Sequence, residues 1–203
     1  MKQEIEAVFL DIDKETIRAK LKSFNAKLVA PERKMIRTVF HLSPDPGNCF
    51  ARVRNEGDKI VVTYKEFHNN SVTGVREINL VVNDYDDAVE MLRALGLREK
   101  SYEESMRETW KLDGAEVCID TWPWLPTYVE VEGESVENMT SVSKKLGFNM
   151  DDALYCSVGH IYSLYYEVKE HDVDTGLEHW NRIEFIPTPK WLATKKKKDG
   201  PLT

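Results

Sequence analysis

About eight short segments of this chain have the composition or the polar–apolar alternation of β-strands. The segments are EIEAVFL (4–10), RTVFHL (37–42), FARVRNE (50–56), KIVVTYKEF (59–67), GVREINLVV (74–82), MRETWKLDG (106–114), EVCIDTW (116–122) and TYVEVEG (127–133). Turn-forming residues separate several of them, as in SPDPGN (43–48) and NEGD (55–58), so we expect antiparallel hairpins. About eight mostly antiparallel strands can close into a barrel, which leaves no free sheet edge and encloses an interior surface.

Four other segments have the apolar periodicity of helices. They are KETIRAKLKSF (14–24), YDDAVEMLRALG (85–96), VENMTSVSKKLG (136–147) and DDALYCSVGHIYSLYYE (151–167). The first three begin after Asp13, Asp84 and Ser135, which are residue types that cap helix N-termini. The sequence therefore predicts an α+β fold, a closed eight-stranded antiparallel β-barrel with flanking helices.

The composition limits the classes of protein to consider. The chain has 203 residues, of which 41% are hydrophobic, and this suits one large domain or two small ones. A formal net charge of −7 argues against general nucleic-acid binding, which needs a basic surface. No apolar run approaches the roughly 20 residues of a membrane span, and MKQEIEAVFL (1–10) lacks the apolar stretch of a secretory signal. We therefore expect a cytoplasmic protein with no membrane partner.

The last part of the chain differs in character from the rest. We expect the main domain to span residues 1–169 and a C-terminal extension to span 170–203, because the extension has two X-Pro breaks and no sustained periodicity. The extension is expected to pack through Trp180, Phe185 and Trp191. Its basic tail at 195–198 is expected to be solvated or to contact an anionic partner.

Pairs of like charges stand two residues apart in several predicted strands, and side chains at that spacing share a face. The pairs are Glu4 with Glu6, Arg52 with Arg54, and Glu130 with Glu132. Such faces lie either in solvent or in the barrel interior. In an interior the acidic and basic pairs must neutralise each other or a ligand, since unpaired buried charges are costly. A polyphosphate with divalent metal ions would match both sets, because arginine and lysine hold phosphate oxygens and carboxylates hold Mg²⁺ or Mn²⁺.

Six short motifs also occur in an order that resembles one family. They are the first E-x-E (4–6), the R-x-R of ARVRN (51–55), the lysine of VVTYK (61–65), the arginine of MRETW (106–110), the CID strand (118–120) and the E-x-E of YVEVEGE (128–134). In these motifs, from residue 4 to about 146, the chain resembles the CYTH or triphosphate tunnel metalloenzyme superfamily. That superfamily includes class IV adenylyl cyclases, thiamine triphosphatases and inorganic tripolyphosphatases. The resemblance implies an eight-stranded antiparallel tunnel that holds a triphosphate.

The resemblance also implies roles for individual residues. Phosphate binding would involve Arg52, Arg54, Lys65 and Arg107. Metal binding, to Mg²⁺ or Mn²⁺, would involve Glu4, Glu6, Asp120, Glu130 and Glu132. The catalytic residues would be Glu4, Glu6 and Arg107. The substrate implied is a triphosphate-bearing small molecule such as tripolyphosphate, thiamine triphosphate or ATP, attacked by water in a triphosphatase or by the ribose 3′-hydroxyl in a cyclase.

The sequence departs from the family pattern at basic positions. The lysine that usually follows the first E-x-E is replaced by Val8, and a basic residue that commonly stands two before Arg107 is replaced by Ser105. The nearby cations Arg33, Lys34 and Arg37 could compensate, although a surface loop is the expected place for them.

A further departure concerns the strand 74–82. Glu77 shares its face there with Val75 and Asn79, while Arg76 points the other way, so either Arg76 lies outside the tunnel or the register differs. The aromatic residues Trp122 and Trp124 either stack on a base or thiazolium ring at the tunnel mouth or pack beneath a proline-stiffened loop.

Three functions remain open on this evidence. The first is a metal-dependent triphosphate-processing enzyme, with hydrolysis favoured over cyclisation because it needs no ordered ribose. The second is a tunnel that binds polyphosphate or a nucleotide without turnover. The third is a β-barrel adaptor whose charges face solvent. The oligomeric state is open as well, and a homodimer is one option.

Overall fold

The computed structural model of the protein describes residues 1–42, 48–69 and 71–198, and within them ten strands and six α-helices. The strands are β1 (Lys2–Glu4), β2 (Glu6–Phe9), β3 (Lys27–His41), β4 (Cys49–Asn55), β5 (Ile60–Phe67), β6 (Val75–Val82), β7 (Arg98–Leu112), β8 (Ala115–Thr121), β9 (Tyr128–Glu132) and β10 (Arg182–Ile183). The helices are α1 (Lys14–Ser23), α2 (Tyr85–Ala94), α3 (Val136–Lys145), α4 (Val158–Tyr165), α5 (Glu170–Asp174) and α6 (Lys190–Ala193). The predicted turn at 43–48 lies outside the described residues except for Asn48, and so does the end of the chain after 198.

The strands form one sheet whose two ends are neighbours in the chain. Nine strands follow the path β1-β6-β5-β4-β3-β7-β8-β9-β2, and each pairs antiparallel with the next. Only Ile5 separates β1, which pairs with β6, from β2, which pairs with β9. The predicted first strand is thus divided at Ile5, and its two halves bring the sheet nearly to closure. The predicted antiparallel barrel with flanking helices is confirmed; the short β10 is an addition that pairs in parallel with β7.

Two strands are much longer than the sequence pattern predicts. β3 and β7 each have 15 residues and pair along most of their length. The pairing register of β3 shifts between Leu28 and Ala30, between Ala30 and Arg33, and between Val39 and Phe40. Each shift of this kind interrupts the period-two alternation, which hides the strand from pattern analysis. The expectation that Arg33 and Lys34 lie in a surface loop is therefore wrong, because both are in β3.

The first three predicted helices are present, and each has the cap expected from the sequence. In each case the cap side chain accepts a hydrogen bond from a backbone N–H three residues on: Asp13 from Thr16 (2.7 Å), Asp84 from Asp87 (2.9 Å) and Ser135 from Asn138 (3.1 Å). The helices cover apolar outer faces of the sheet. Leu21 of α1 and Met139 of α3 lie in one apolar cluster with Val117 of β8, and Ala88 of α2 lies in another with Val53 of β4.

The fourth predicted helix, at 151–167, is wrong in its first half. Leu154 exchanges two backbone hydrogen bonds with Val8, with N–O distances of 2.9 and 3.0 Å, so this part of the chain runs extended beside β2. The helix α4 begins only after Ser157, whose hydroxyl accepts a hydrogen bond from the N–H of His160. A backbone group that pairs with a strand is not free to continue a helix.

The C-terminal extension packs against the barrel through α4. Trp180 is 4% exposed and lies 4.9 Å from Tyr162 and 5.2 Å from Trp191, measured between ring centroids. The expected packing of Phe185 is wrong, because this side chain is 41% exposed. The basic tail is held along its described part, where the Lys197 ammonium donates to a backbone carbonyl of α4.

Helices long and apolar enough to cross a membrane are absent from the described part of the chain.

We predict that the extension folds cooperatively with the barrel. Trp180→Ala should lower the free energy of unfolding by about 3–5 kcal/mol, because it leaves a cavity among buried aromatic rings. Phe185→Ala, in the same extension, should change it by no more than about 0.5 kcal/mol. Urea denaturation followed by circular dichroism measures both. Equal effects of the two substitutions would contradict the prediction, and so would two separate unfolding transitions.

Candidate functional site

The barrel encloses a cavity of about 1080 Å³. Because side chains alternate between the two faces of a strand, one face of each barrel strand points into the cavity, and register shifts in β3 interrupt this alternation there. All the residues predicted to bind phosphate line this cavity, and so do four of the five predicted metal ligands. The fifth, Asp120, lies in the wall with 1% exposure. The third hypothesis, in which the charged faces of the strands lie in solvent, is therefore wrong.

The charges inside the cavity are divided between two sides, which we call the cationic wall and the acidic wall. The cationic wall consists of Arg33 and Arg37 on β3, Arg52 and Arg54 on β4, Lys65 on β5 and Arg107 on β7. The acidic wall consists of Glu4 on β1, Glu6 on β2, Glu77 on β6, Glu116 on β8, and Glu130 and Glu132 on β9. β5, β4, β3 and β7 are consecutive in the sheet, so the two sets face each other across the barrel. Glu56, Asp58 and Glu103 are acidic exceptions on the cationic side, and Lys2 of β1, which pairs with Glu132, is a basic exception on the acidic side.

One ion pair joins the two walls at the closure of the barrel. The Lys65 ammonium lies 2.7 Å from a carboxylate oxygen of Glu4 and 3.8 Å from one of Glu6. Burial is the largest influence on Glu4 and opposes its ionisation. The charge of Lys65, hydrogen bonds with Glu77 and Lys65, and the charge of Arg52 together outweigh burial and hold the pKa of this carboxyl below its usual range. The charges of Glu6 and Glu4 in turn raise the pKa of Lys65, despite its burial.

A second ion pair holds Arg107 on β7. Its guanidinium donates to both carboxylate oxygens of Asp120, at 2.7 and 2.5 Å, and to Glu130 at 3.1 Å. Burial alone would lower the pKa of Arg107, but the adjacent carboxylates raise it well above its ordinary value. Asp120, which the resemblance assigns to metal binding, is engaged here in orienting the arginine.

Arg52 and Arg54 differ in their partners. Arg54 donates to Glu56 from Nε at 2.8 Å. Arg52 is 9% exposed, and its Nε is buried without a hydrogen-bond partner. It forms no ion pair within the described residues. Burial and the neighbouring charges of Arg54 and Arg37 lower the pKa of Arg52 well below the usual arginine value.

The position of Arg37 corrects the expectation of a surface loop. It is 8% exposed on β3, and its Nη2 donates to Ser105 Oγ at 2.9 Å. The guanidinium stacks on Trp122, 4.5 Å from the ring centroid. Trp122 is thus covered by an arginine, while Trp124 packs under the extension and donates from Nε1 to the carbonyl of Ile186. Lys34, in contrast, faces outward and pairs with Glu104.

Carboxylates of neighbouring strands meet on the acidic wall. Glu132 is directly opposite Glu6 on β2 and opposite Glu116 on β8. Burial and the charges of three neighbouring glutamates raise the pKa of Glu6 to about 8, against the opposing effect of Lys65. Burial and a hydrogen bond with Glu4 raise the pKa of Glu77 to about 7.

Glu77, Glu116 and Arg37 are the main residues of the cavity that sequence analysis did not assign to the site. Arg76 is exposed, so the first alternative for this strand is confirmed and Glu77 is the residue that points inward. The alternation in 74–82 contained that signal. Arg37 carried a weaker signal: it is the first residue of the predicted strand 37–42, and the register shift between Val39 and Phe40 interrupts the alternation within that strand.

The acidic wall fits a divalent cation in its chemistry. Carboxylates are the hard oxygen ligands that Mg²⁺ and Mn²⁺ prefer, and Glu6 lies among three other glutamates whose charges disfavour its ionisation. In the arrangement that the described residues adopt, no three His, Cys, Asp or Glu side chains are close enough together to hold a metal ion. Metal binding would therefore require side-chain rotations on this wall.

Residues 2–152 of this chain match the family model of the CYTH domain. The chain belongs to the CYTH domain family. The resemblance described above is thereby confirmed, and the family match ends just before α4. In sequence, no curated protein is significantly similar to this CYTH chain.

Solved structures with this fold come from several organisms. A conserved hypothetical protein from Pyrococcus furiosus superposes with a TM-score of 0.65 at 23% identity, over 76% of this chain and 96% of that one. A Vibrio parahaemolyticus protein with a provisional adenylate cyclase assignment gives 0.66 at 11% identity, over 80% and 98%. A provisionally named adenylyl cyclase from Hippeastrum, described as having a dominant triphosphatase activity, gives 0.53 at 12% identity, over 77% and 91%. At these identities the similarity shows a shared CYTH fold.

We predict that the Arg107–Asp120 pair stabilises the barrel as a unit. Arg107→Gln should lower the free energy of unfolding by about 3–5 kcal/mol, because it leaves the buried Asp120 carboxylate without its cation. Combining it with Asp120→Asn should recover part of that loss, since the unpaired charge is then removed. Urea denaturation of the two single variants and the double variant gives the coupling energy. Additive effects would show that the two side chains do not depend on each other.

Proposed function

We propose that this CYTH protein is a metal-dependent enzyme that hydrolyses an organic or inorganic triphosphate inside the barrel. The observation that carries the proposal is the division of one enclosed cavity into a cationic wall and an acidic wall. Arg52 is buried and has no ion-pair partner among the described residues, so a bound anion would neutralise its charge. A polyphosphate supplies several negative charges along a narrow chain, which suits a row of cations on neighbouring strands.

The cationic wall would hold the phosphate oxygens. Arg52 and Arg54 point to the same side of β4 and can each donate two parallel hydrogen bonds to phosphate. Lys65 and Arg107 are already fixed in position by their carboxylate partners. This fixation would lower the entropy lost when the substrate binds and would stabilise charge that develops on the phosphate in the transition state.

The acidic wall would hold Mg²⁺ or Mn²⁺ through Glu4, Glu6, Glu130 and Glu132. A bound divalent ion would neutralise phosphate charge and make a bound water more acidic. Asp120 would act through Arg107, whose guanidinium it orients. Glu77, which hydrogen-bonds to Glu4, would fix the direction of that carboxylate.

Hydrolysis is favoured over cyclisation by one feature of the cavity. Trp122, the residue considered for stacking on a base, is 5% exposed and covered by Arg37. This tryptophan is therefore not free to order a nucleoside for attack by its ribose hydroxyl, whereas water needs no such ordering. The triphosphatase activity stated for the Hippeastrum protein of the same fold agrees with this choice.

The proposal is tested by incubating the protein with Mg²⁺ or Mn²⁺ and, separately, with tripolyphosphate, thiamine triphosphate and ATP. We expect release of inorganic phosphate, and the relative rates would rank the substrates. Pyrophosphate with cyclic AMP as the products from ATP would instead establish a cyclase. Tight binding without any product would establish a tunnel that binds and does not catalyse.

Glu4→Gln combined with Glu6→Gln should abolish metal-dependent turnover, because two of the proposed metal ligands are lost. Phosphate release at saturating Mg²⁺ measures the loss, and the thermal unfolding midpoint verifies that the variant is folded. Glu66→Gln is the matched control, since Glu66 lies on β5 next to Lys65 and faces the outside. Unchanged turnover in the double variant would remove Glu4 and Glu6 from the active site.

A further inference from the structure

Three guanidinium groups lie close together on the cationic wall. Arg37 on β3 is directly opposite Arg54 on β4, and Arg52 is two residues from Arg54 on the same face. Of the three, Arg54 is neutralised by Glu56. Neither Arg37 nor Arg52 forms an ion pair with any residue in the described ranges. The cluster therefore has an excess of two positive charges in a buried position.

The contacts of Arg37 hold its guanidinium in place without neutralising it. Ser105 accepts one hydrogen bond, Trp122 supports the planar face, and Nε is buried without a hydrogen-bond partner. Glu103, the residue opposite Arg37 on β7, accepts a hydrogen bond from Ser101 and lies beyond ion-pair distance of Arg37. Burial and the charge of Arg54 lower the pKa of Arg37 to about 10, which leaves it protonated at neutral pH.

A charge that is buried, fixed and unneutralised costs stability unless a ligand compensates it. An arginine whose only role was to stabilise the fold would have its ion-pair and hydrogen-bond partners within the protein. The orphaned Nε groups of Arg37 and of Arg52 are donors that an anion in the cavity could use.

We propose that Arg37 is a further substrate-binding residue, which donates to the phosphate oxygens together with Arg52 and Arg54. The guanidinium of Arg37, which comes from β3, lies beside Ser105 of β7. It thus places a positive charge where β7 itself has only a serine. This inference rests on the proposed function, because the anion that it assigns to the cluster is the triphosphate chain.

The experiment compares the wild type with R37Q, with R37Q/S105R and with K34Q. Lys34 is the matched control, since it is a cation on the same strand but faces outward and pairs with Glu104. Binding of tripolyphosphate is measured by calorimetry in EDTA, so that the result does not depend on metal-supported turnover. The thermal unfolding midpoint of each variant is measured with and without tripolyphosphate.

For R37Q we expect tripolyphosphate binding to weaken by about tenfold or more, the effect of losing one charge-assisted contact. The midpoint without ligand should stay the same or rise, because an unneutralised buried charge has been removed. R37Q/S105R should regain affinity, since the charge returns to the same part of the cavity. K34Q should bind as the wild type does.

The inference is overturned if R37Q binds tripolyphosphate as tightly as the wild type. It is also overturned if R37Q has a lower midpoint without ligand and an unchanged shift with it, since Arg37 would then be structural. If R37Q loses affinity for tripolyphosphate and R37Q/S105R does not regain it, Arg37 does not act by supplying positive charge. If the wild type itself fails to bind tripolyphosphate, the proposed function fails together with the inference.

Discussion

The ion pair between Lys65 and Glu4 is the contact on which the rest of the cavity depends. It joins a strand of the cationic wall to the divided first strand that closes the barrel. A barrel interior of this size cannot be lined with one sign of charge, because each buried ion needs a compensating partner. The chain satisfies this constraint by placing acids on one side and bases on the other. A few pairs between the walls, such as Lys65 with Glu4 and Arg107 with Glu130, then fix the geometry, and under our proposal the remaining charges bind ligands.

The unneutralised groups are concentrated in two places. Arg37 and Arg52 have buried donors without hydrogen-bond partners, and the carboxylates around Glu6 repel one another. Both arrangements cost stability in the ligand-free protein, and a polyphosphate with a divalent cation would relieve both at once. Functional sites are where a fold tolerates such local conflict. This agreement between two independent features is why we favour a triphosphate over an anion of single charge.

The region after the family match contributes to the same cavity. Leu154 pairs with Val8 of β2. Five residues of the α5 region line the cavity beside residues of the barrel: Glu170, His171, Val173, Asp174 and Thr175. Val8 is 5% exposed and lies in an apolar cluster with Tyr162 and Trp180. Val8 also lines the cavity, on the same face of β2 as Glu6, so an apolar side chain occupies the position where the family pattern has a lysine.

The sequence by itself determined the class of fold and most residues of the candidate site. Period-two alternation predicted the strands and placed Glu4 with Glu6, and Glu130 with Glu132, on shared faces, since that alternation depends only on local backbone geometry. That these faces point inward was implied by the family resemblance. Only the tertiary structure decided which charges neutralise one another, because partners such as Arg107 and Asp120 meet through strand pairing that distant segments establish. It also brought Arg37 into the cavity, because a strand predicted at 37–42 can present either face inward, and only pairing with β4 and β7 fixes the direction in which that side chain points.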